Sequence, residues 1–174
     1  MTPPDNPAGP YTPDPNPSAA RRAELIAEIE QFPAKLRGLV AGLTPTQLDT
    51  KYKNWTVRQI VHHLADSHTN GYVRTKLTLT EDRPTIKPYD ETRWSALPDA
   101  TGLDPEVSLR LLDSLHARWA AVWRAMGDAD FAREYVHPEF GKAFRLAEVL
   151  GLYAWHGRHH AAMIAWLRAN RFGG

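Results

Sequence analysis

Histidines are concentrated in two short segments of this chain of 174 residues. Six of the eight fall within residues 62–68 and 156–160: His62, His63, His68, His156, His159 and His160. Neutral imidazole is the commonest protein ligand for transition metals. Residues four apart on a helix project from one face, so His156 and His160 can close on a single ion. Because the chain has no cysteine, such an ion must be held by His, Asp or Glu.

A third ligand is expected from the first segment, where a polar stripe follows His63 at helical spacing: Asp66, Ser67 and Asn70. Spacing alone leaves open whether His62 or His63 points inward, and it predicts that His68 is exposed. Three imidazoles leave a divalent ion with one or two open positions, whereas structural zinc is usually closed by four protein ligands. The pattern therefore predicts an open, chemically competent metal site.

Helices must position these side chains. Capping residues and apolar periodicity predict four long helices, from Ser18 to Leu43 with a bend at Pro33, from Thr56 to about Leu79, from Asp104 to Gly127, and from about Leu146 to Asn170. The second and fourth carry the two histidine segments. Four long helices make a bundle, whose interior brings inward positions of facing helices together.

The remaining segments are shorter or irregular. Residues 1–17 hold seven of the fourteen prolines and are predicted to form an extended arm ahead of one domain over residues 18–174. Thr44, Pro45 and Gln47 predict a short capped helix. Residues 81–104 are interpreted as a long loop of functional importance, and residues 135–144 as either a β-hairpin or an irregular loop.

Composition excludes several classes of protein. The formal net charge is +1 and no basic run could follow a phosphate backbone, so we expect no nucleic-acid partner. No stretch of 18 apolar residues and no export signal is seen, so we expect no membrane partner and a cytoplasmic location.

Four segments carry a family resemblance over nearly the whole chain: WTVRQIVHHLADSHTNGYVRTKLTLTED, KPYDETRW, LHARW and LGLYAWHGRHHAAMIAWL. They resemble the YfiT branch of the DinB-like superfamily. The resemblance implies an all-α four-helix bundle, a homodimer, and one zinc or nickel ion per chain on a three-histidine triad. It maps the triad onto His63, His156 and His160. Some relatives have a further histidine where this chain has Met163, a position that we do not expect to bind metal.

The resemblance also implies a metal-dependent enzyme, named as a hydrolase or, in related proteins, a thiol transferase using bacillithiol, mycothiol or glutathione. Our first hypothesis is that the ion activates a low-molecular-weight thiol for attack on a small electrophile. Asp66, Asn70 and Arg74 are the candidate catalytic residues. Further candidates for holding a carboxylate-bearing thiol or its acceptor are Tyr72, His116 and Arg118.

Two alternatives remain. In a hydrolase, the ion would activate water, with Asp66 or Glu148 as the base and with Asp66 equally able to orient a ligand imidazole. In a non-catalytic binding module, the metal would only join two helices. Trp155, beside a ligand, is a candidate pocket residue, and Trp94 in the long loop could close over the site.

Overall fold

The structure is a computed structural model that describes residues 1–173, so Gly174 of the predicted domain lies outside the described residues. The four predicted long helices are confirmed. The elements in chain order are α1 (Ala19–Val40), α2 (Pro45–Leu48), β1 (Lys51–Tyr52), β2 (Trp55–Thr56), α3 (Val57–Thr80), α4 (Glu91–Trp94), α5 (Pro98–Gly102), α6 (Pro105–Ala125), α7 (Asp128–Phe131), β3 (Glu134–His137), β4 (Lys142–Arg145) and α8 (Leu146–Arg171).

Side-chain caps set the helix starts that the sequence predicts. Ser18 Oγ accepts a hydrogen bond from the backbone N–H of Arg21 at 3.1 Å. Thr56 and Gln59 form a reciprocal capping box at the start of α3, with distances of 3.0 and 3.1 Å. Such caps satisfy N–H groups that have no partner inside the helix. They fix where α3 begins and thus which turns carry His62 and His63.

Pro33 lies inside α1 without ending it. Proline has no backbone N–H, so the carbonyl of Ile29, four residues earlier, lacks the donor that an ideal helix would supply. This carbonyl faces the core and takes a different partner, described below.

Among the four long helices, α1 packs against both α6 and α8, and α3 does the same. The core between them is largely apolar, and Leu36, Leu64, Trp119, Trp123 and Leu150 are each completely buried in it. Burial of such large side chains is the main driving force for the bundle.

Gly71 allows a close approach at the middle of α3. A Cβ atom at this position would lie 2.4 Å from the ring of Tyr153 on α8 and 2.7 Å from that of Trp119 on α6. These separations are far below van der Waals contact, so only glycine lets the two rings pack against this turn.

The connecting segments differ from expectation in three places. Residues 81–104 are not one long loop, because they contain the short helices α4 and α5. Neither the two-residue hairpin β1–β2 nor the single-turn helix α7 was predicted, since elements this short leave almost no periodicity. The hairpin over residues 135–144 is confirmed, with β3 and β4 pairing antiparallel.

The proline-rich arm lies along the body. The Tyr52 hydroxyl donates to the carbonyl of Pro4 at 2.5 Å, and the Trp155 indole donates to that of Gly9 at 3.0 Å. Tyr11 donates to the carbonyl of Glu148 at 3.1 Å. The arm is therefore attached mainly to α8, the helix that carries His156 and His160. Among the described residues, no helix has the length and apolar character needed to cross a bilayer.

Candidate metal centre

Three histidines from two helices converge at the middle of the bundle. His63 projects from the second turn of α3, and His156 and His160 project from successive turns of α8. One ring nitrogen from each lies within 4.8 Å of the others. The ring centroids are separated by 4.5 to 5.3 Å. The structure thus brings together the three side chains that the resemblance selected.

The separations suit a metal ion. Nε2 of His63 and Nε2 of His156 are 3.3 Å apart. Two nitrogens of a tetrahedral zinc site, each about 2.0–2.1 Å from the ion, would be about 3.3–3.4 Å from one another. Nδ1 of His160 is buried and has no hydrogen-bond partner among residues 1–173. A buried polar atom without a partner is costly, so a ligand to this cluster has a physical use.

All three imidazoles are neutral at pH 7. Burial lowers the pKa of His63 to about 4. Burial, reinforced by the neighbouring histidines, holds the pKa values of His156 and His160 well below the ordinary value. Neutral imidazole has the free lone pair that a metal requires.

A cavity of about 480 Å³ opens beside the triad. Its walls come from five regions: the arm, the β1–β2 hairpin, His63 of α3, α4 and α8. The indole of Trp55 packs 4.4 Å from the ring of His63 and stacks parallel to His160 at 6.1 Å. Trp155 and Met163 complete the α8 wall, and Glu91 lies at the rim. The predicted role of Trp155 as a pocket residue agrees with this position.

A second cavity of about 520 Å³ shares His156 and Glu91 with the first. Its remaining lining includes Ser67, Arg74, Tyr89, His137 and Tyr153. Tyr153 is buried, which raises its pKa, so its hydroxyl stays protonated and available as a donor. His156 therefore stands between two chambers of similar size.

The prediction for His68 is wrong. This side chain is only 1% exposed, and its Nε2 lies 3.2 Å from Nδ1 of His156. Its Nδ1 contacts Nε2 of His116 at 2.8 Å. The sequence pattern missed this because helix α6, which covers His68, is supplied by a distant part of the chain.

The further candidates for holding a substrate, Tyr72, His116 and Arg118, line neither cavity. His116 is fully buried and is bonded to the carbonyl of Ile29, so it cannot reach a ligand in either cavity. Arg118 is exposed and packs its guanidinium over the ring of Tyr72 at 5.5 Å. Both α6 residues are therefore structural neighbours of the site rather than part of its lining.

The remaining histidines of the two segments lie outside the triad, although His159 lines the cavity beside it and packs 5.4 Å from the ring of His160. His62 is buried, and its ring nitrogens lie 2.7 Å from Ser108 Oγ and 3.2 Å from the carbonyl of Leu103. His159 stacks on Trp155 at 4.8 Å between centroids. Of the two neighbouring histidines, His63 is thus the one whose ring lies with those of His156 and His160.

The three candidate catalytic residues differ in their position relative to the two cavities beside the triad. Arg74 lines the second cavity, donates to the carbonyl of Lys87 at 3.2 Å, and has a buried Nε without a partner among the described residues. The Asn70 amide donates to the backbone of Asp66 at 2.9 Å. Asp66 is half-buried, and burial, aided by Asp99, raises its pKa to about 6.

Two other expectations are corrected. Glu148 is not free to act as a base, because its carboxylate accepts from the backbone N–H of Arg145 at 3.2 Å and caps α8. Trp94 does not close over the site; it is 40% exposed and packs against Tyr89 at 4.6 Å.

Sequence reasoning missed several lining residues. Tyr89, Glu91 and His137 all line the second cavity, and Glu91 lines the first as well. The concentration of polar and aromatic residues in the segment KPYDETRW was the available signal for the first two. His137, on a two-stranded hairpin remote in sequence, gave none.

Comparison with known proteins supports a specific family. The model of the DinB superfamily matches residues 28–164. The chain is 48% identical over 163 residues to "Putative metal-dependent hydrolase YfiT" of Bacillus subtilis, covering 92% of each chain. A relative in Bacillus mycoides with the same description is 51% identical over 145 residues, covering 82% of this chain and 83% of its own.

Solved structures agree with the fold. The structure of YfiT from Bacillus subtilis, a four-helix bundle of unusual topology, superimposes with a TM-score of 0.93, 46% identity and 97% coverage of both chains. A mycothiol-dependent maleylpyruvate isomerase superimposes with a TM-score of 0.64 over 80% of this chain and 59% of its own, at 16% identity. The second similarity is one of fold alone.

Proposed function

This chain belongs to the DinB superfamily, and we propose that it is a metal-dependent enzyme in which His63, His156 and His160 hold one zinc or nickel ion per chain. The relatives' names and the histidine cluster both indicate metal dependence. The observation that carries the proposal is the convergence of three neutral imidazoles with ring nitrogens within 4.8 Å beside an open cavity. Three protein ligands leave room for a substrate atom.

The reaction that we favour is transfer of a low-molecular-weight thiol to a small electrophile. A divalent ion in the triad would supply a Lewis acid that lowers the pKa of a thiol bound beside it. The chain has no cysteine of its own, so the sulfur would come from a cosubstrate. Two chambers that share His156 and Glu91 suit a reaction of two organic molecules better than hydrolysis, which needs space for one.

Arg74 is the residue that we propose to bind a carboxylate of the thiol or of its acceptor. Its guanidinium lines the second cavity and has a buried Nε with donor capacity left over. Guanidinium recognises carboxylates through parallel N–H donors. Replacement of Arg74 by Lys should keep the positive charge but lose the parallel N–H donors of the guanidinium. It should therefore raise KM for a carboxylate-bearing substrate more than it lowers kcat.

A metal-dependent hydrolase is the second candidate, favoured by the names of the relatives. It requires a base beside the triad. Asp66 lines neither cavity, whereas Asp5 lines the first and pairs with Lys53. Asp90 and Glu139 line the second cavity, and Glu91 is the carboxylate that lines both. Replacement of Glu91 by Gln should abolish hydrolysis in this case and leave thiol transfer largely intact.

One experiment separates the candidates. Apo-protein is loaded with zinc, nickel or manganese, and conjugation of a bimane or epoxide is assayed with bacillithiol, mycothiol and glutathione in parallel with ester and amide cleavage. His160→Ala is the metal-site control, and His159→Ala is its matched neighbour outside the triad. We expect metal-dependent conjugation in the wild type and in His159→Ala, with a changed KM in the latter because the His159 side chain lines the cavity, and none in His160→Ala.

Other results would redirect the proposal. Ester or amide cleavage without conjugation would establish the hydrolase. No activity in either assay, together with a metal-dependent rise in thermal stability, would favour the non-catalytic binding module.

The homodimer is also a proposal. Three exposed apolar side chains, Leu103, Val107 and Leu111, recur along one face at the start of α6 and offer a surface for a second copy. Sedimentation equilibrium of the full chain tests this, and a monomer at all concentrations would contradict it. The cytoplasmic location likewise stays a prediction.

A further inference from the structure

A row of buried imidazoles runs inward from the triad, on the side away from the cavity of about 480 Å³. Nδ1 of His156 lies 3.2 Å from Nε2 of His68. Nδ1 of His68 lies 2.8 Å from Nε2 of His116, and Nδ1 of His116 lies 2.5 Å from the carbonyl oxygen of Ile29. Every ring nitrogen in this row thus has a partner within the protein, and the partner of Nε2 of His156 is Nε2 of His63, at 3.3 Å.

The last contact gives the row a direction. A carbonyl oxygen can only accept, so Nδ1 of His116 must carry the proton. A neutral His116 then has an unprotonated Nε2, which accepts from His68 Nδ1–H. The same logic leaves His68 Nε2 unprotonated, so it accepts from Nδ1–H of His156. Nε2 of His156 therefore has a free lone pair facing His63.

The row ends on the carbonyl of Ile29, which is available because of Pro33. In a regular helix the carbonyl of Ile29 would accept from the backbone N–H of residue 33, but residue 33 is proline and has none. The carbonyl is thereby available to His116, which reaches it from α6. A proline inside α1, which lacks the backbone N–H, thus leaves free the acceptor at which the row ends.

The surroundings keep the row in one arrangement. His68 is 1% exposed and His116 is fully buried, between the rings of Phe32, Trp119 and Tyr153. Burial disfavours the charged form of an imidazole, and it lowers the pKa of His116 to about 4. Neutral rings are what the donor and acceptor sequence requires.

We infer that His68 and His116 are positioning residues that fix the tautomer and the orientation of His156, with its proton on Nδ1 and its lone pair on Nε2 directed into the triad. This inference rests on the proposed function for its purpose, but the tautomer itself can be measured without metal. Partners of this kind, which orient a ligand imidazole, commonly affect metal affinity by about 10–100-fold. In many metal sites the ligand imidazole is oriented by a charged carboxylate, whereas this row ends on a neutral backbone carbonyl.

The competing explanation is that His68 and His116 are core histidines whose hydrogen bonds serve stability alone. His62 offers a matched control, because it lies on the same helix, is equally buried, and is bonded to Ser108 rather than to a ligand. If the role of His68 is purely structural, replacement of His68 and replacement of His62 should have the same effect on metal affinity.

The variants to compare are His68→Leu, His68→Gln, His116→Leu and His62→Leu, with zinc and nickel affinities measured by competition against a chromophoric chelator. We expect His68→Leu to bind about 10–100-fold more weakly than the wild type. His68→Gln should recover part of that loss, because its amide offers both an acceptor and a donor. His62→Leu should lose stability but keep its affinity. Equal affinities in His68→Leu and His62→Leu would overturn the inference.

The tautomer can be read directly in the wild-type apo-protein, which avoids any variant that fails to fold. Long-range ¹H–¹⁵N NMR distinguishes protonated from unprotonated ring nitrogens. We expect protons on Nδ1 of His116, His68 and His156, and His68→Leu should release His156 into a tautomer mixture. A proton on Nε2 of His156 in the wild type would overturn the inference. Failure of the wild type to bind either metal would instead overturn the proposed function.

Discussion

His156 has two sides that are built differently. Its Nε2 side faces the cavity whose walls come from the arm, the β1–β2 hairpin and α4. Its Nδ1 side faces His68, within a packed layer of aromatic rings between long helices. Connecting segments thus complete, together with α8 and His63 of α3, the wall on the side where a substrate would enter. On the side that holds the ligand in place, the packed layer comes from long helices.

The difference separates two requirements of a metal site. A ligand imidazole must be held rigidly, which a close-packed helical interior provides. A substrate must enter and leave, which suits segments with fewer buried contacts. Changes on the open side should therefore alter access at a modest cost in stability, and changes on the packed side should alter the ligand geometry or the stability of the bundle.

Removal of a triad member should have the largest effect. We expect His160→Ala to weaken zinc or nickel binding by more than about 100-fold, beyond the range of substitutions that act through a ligand. The metal-dependent rise in Tm should disappear with it. Chelator competition and thermal unfolding with and without metal measure both quantities. His159→Ala is the control, and equal metal affinity in the two variants would remove His160 from the site.

Gly71→Ala tests the packed side. The added Cβ would overlap the rings of Tyr153 and Trp119, so we expect a loss of about 1–3 kcal/mol in the free energy of unfolding. Gly38→Ala in α1 is the matched control, because its Cβ would meet nothing within 4 Å. Alanine there should stabilise the protein by up to about 1 kcal/mol. Urea denaturation measures both, and a stabilising Gly71→Ala would contradict the packing argument.

Deletion of residues 1–16 tests the open side. Three part-buried hydrogen bonds of the arm would be lost, each worth about 1 kcal/mol before the ordering entropy of the arm is subtracted. The exposed contacts of Asp5 with Lys53 and of Met1 with Arg171 would be lost as well. We expect a net loss near 1 kcal/mol and faster extraction of bound zinc by a chelator. If stability falls while the rate of zinc extraction stays the same, the arm stabilises the fold but does not limit access to the cavity.

Asp66→Asn should have the smallest effect, and its sign depends on pH. Burial, aided by Asp99, raises the pKa of Asp66 to about 6 from an unfolded value of about 3.9. A raised pKa contributes stability below the unfolded value, and that contribution is lost as the pH rises through the folded value. The variant should therefore gain stability at pH 7, by less than about 1 kcal/mol after solvent screening, and gain nothing at pH 4.

Thermal unfolding of Asp66→Asn at both pH values provides the measurement. Asp99→Asn should reproduce part of the gain at pH 7, because it removes the second cause of the raised pKa. Loss of enzymatic activity in Asp66→Asn together with a gain in stability would assign Asp66 a functional role, as the sequence suggested. A loss of stability at pH 7 would contradict the electrostatic argument.

Much of the framework follows from local rules. Ser18, Thr56 and Asp104 begin helices because their side-chain oxygens accept from the first turn, and the structure confirms each start. The spacing of four between His156 and His160 places them on one face in any helix. The short elements α4, α5 and α7 escaped prediction because a single turn carries no periodic signal.

By itself, the sequence determined the four long helices, the absence of a sulfur ligand, and the pair His156 and His160, because each depends on residues within a few turns of one another. Only the tertiary structure decided that His68 is buried behind His156, that His116 completes the row, and that Pro33 frees the carbonyl on which the row ends. These contacts join α1, α3, α6 and α8 across separations of up to 88 residues. Packing geometry sets them, and no local pattern encodes the face that a distant helix will cover.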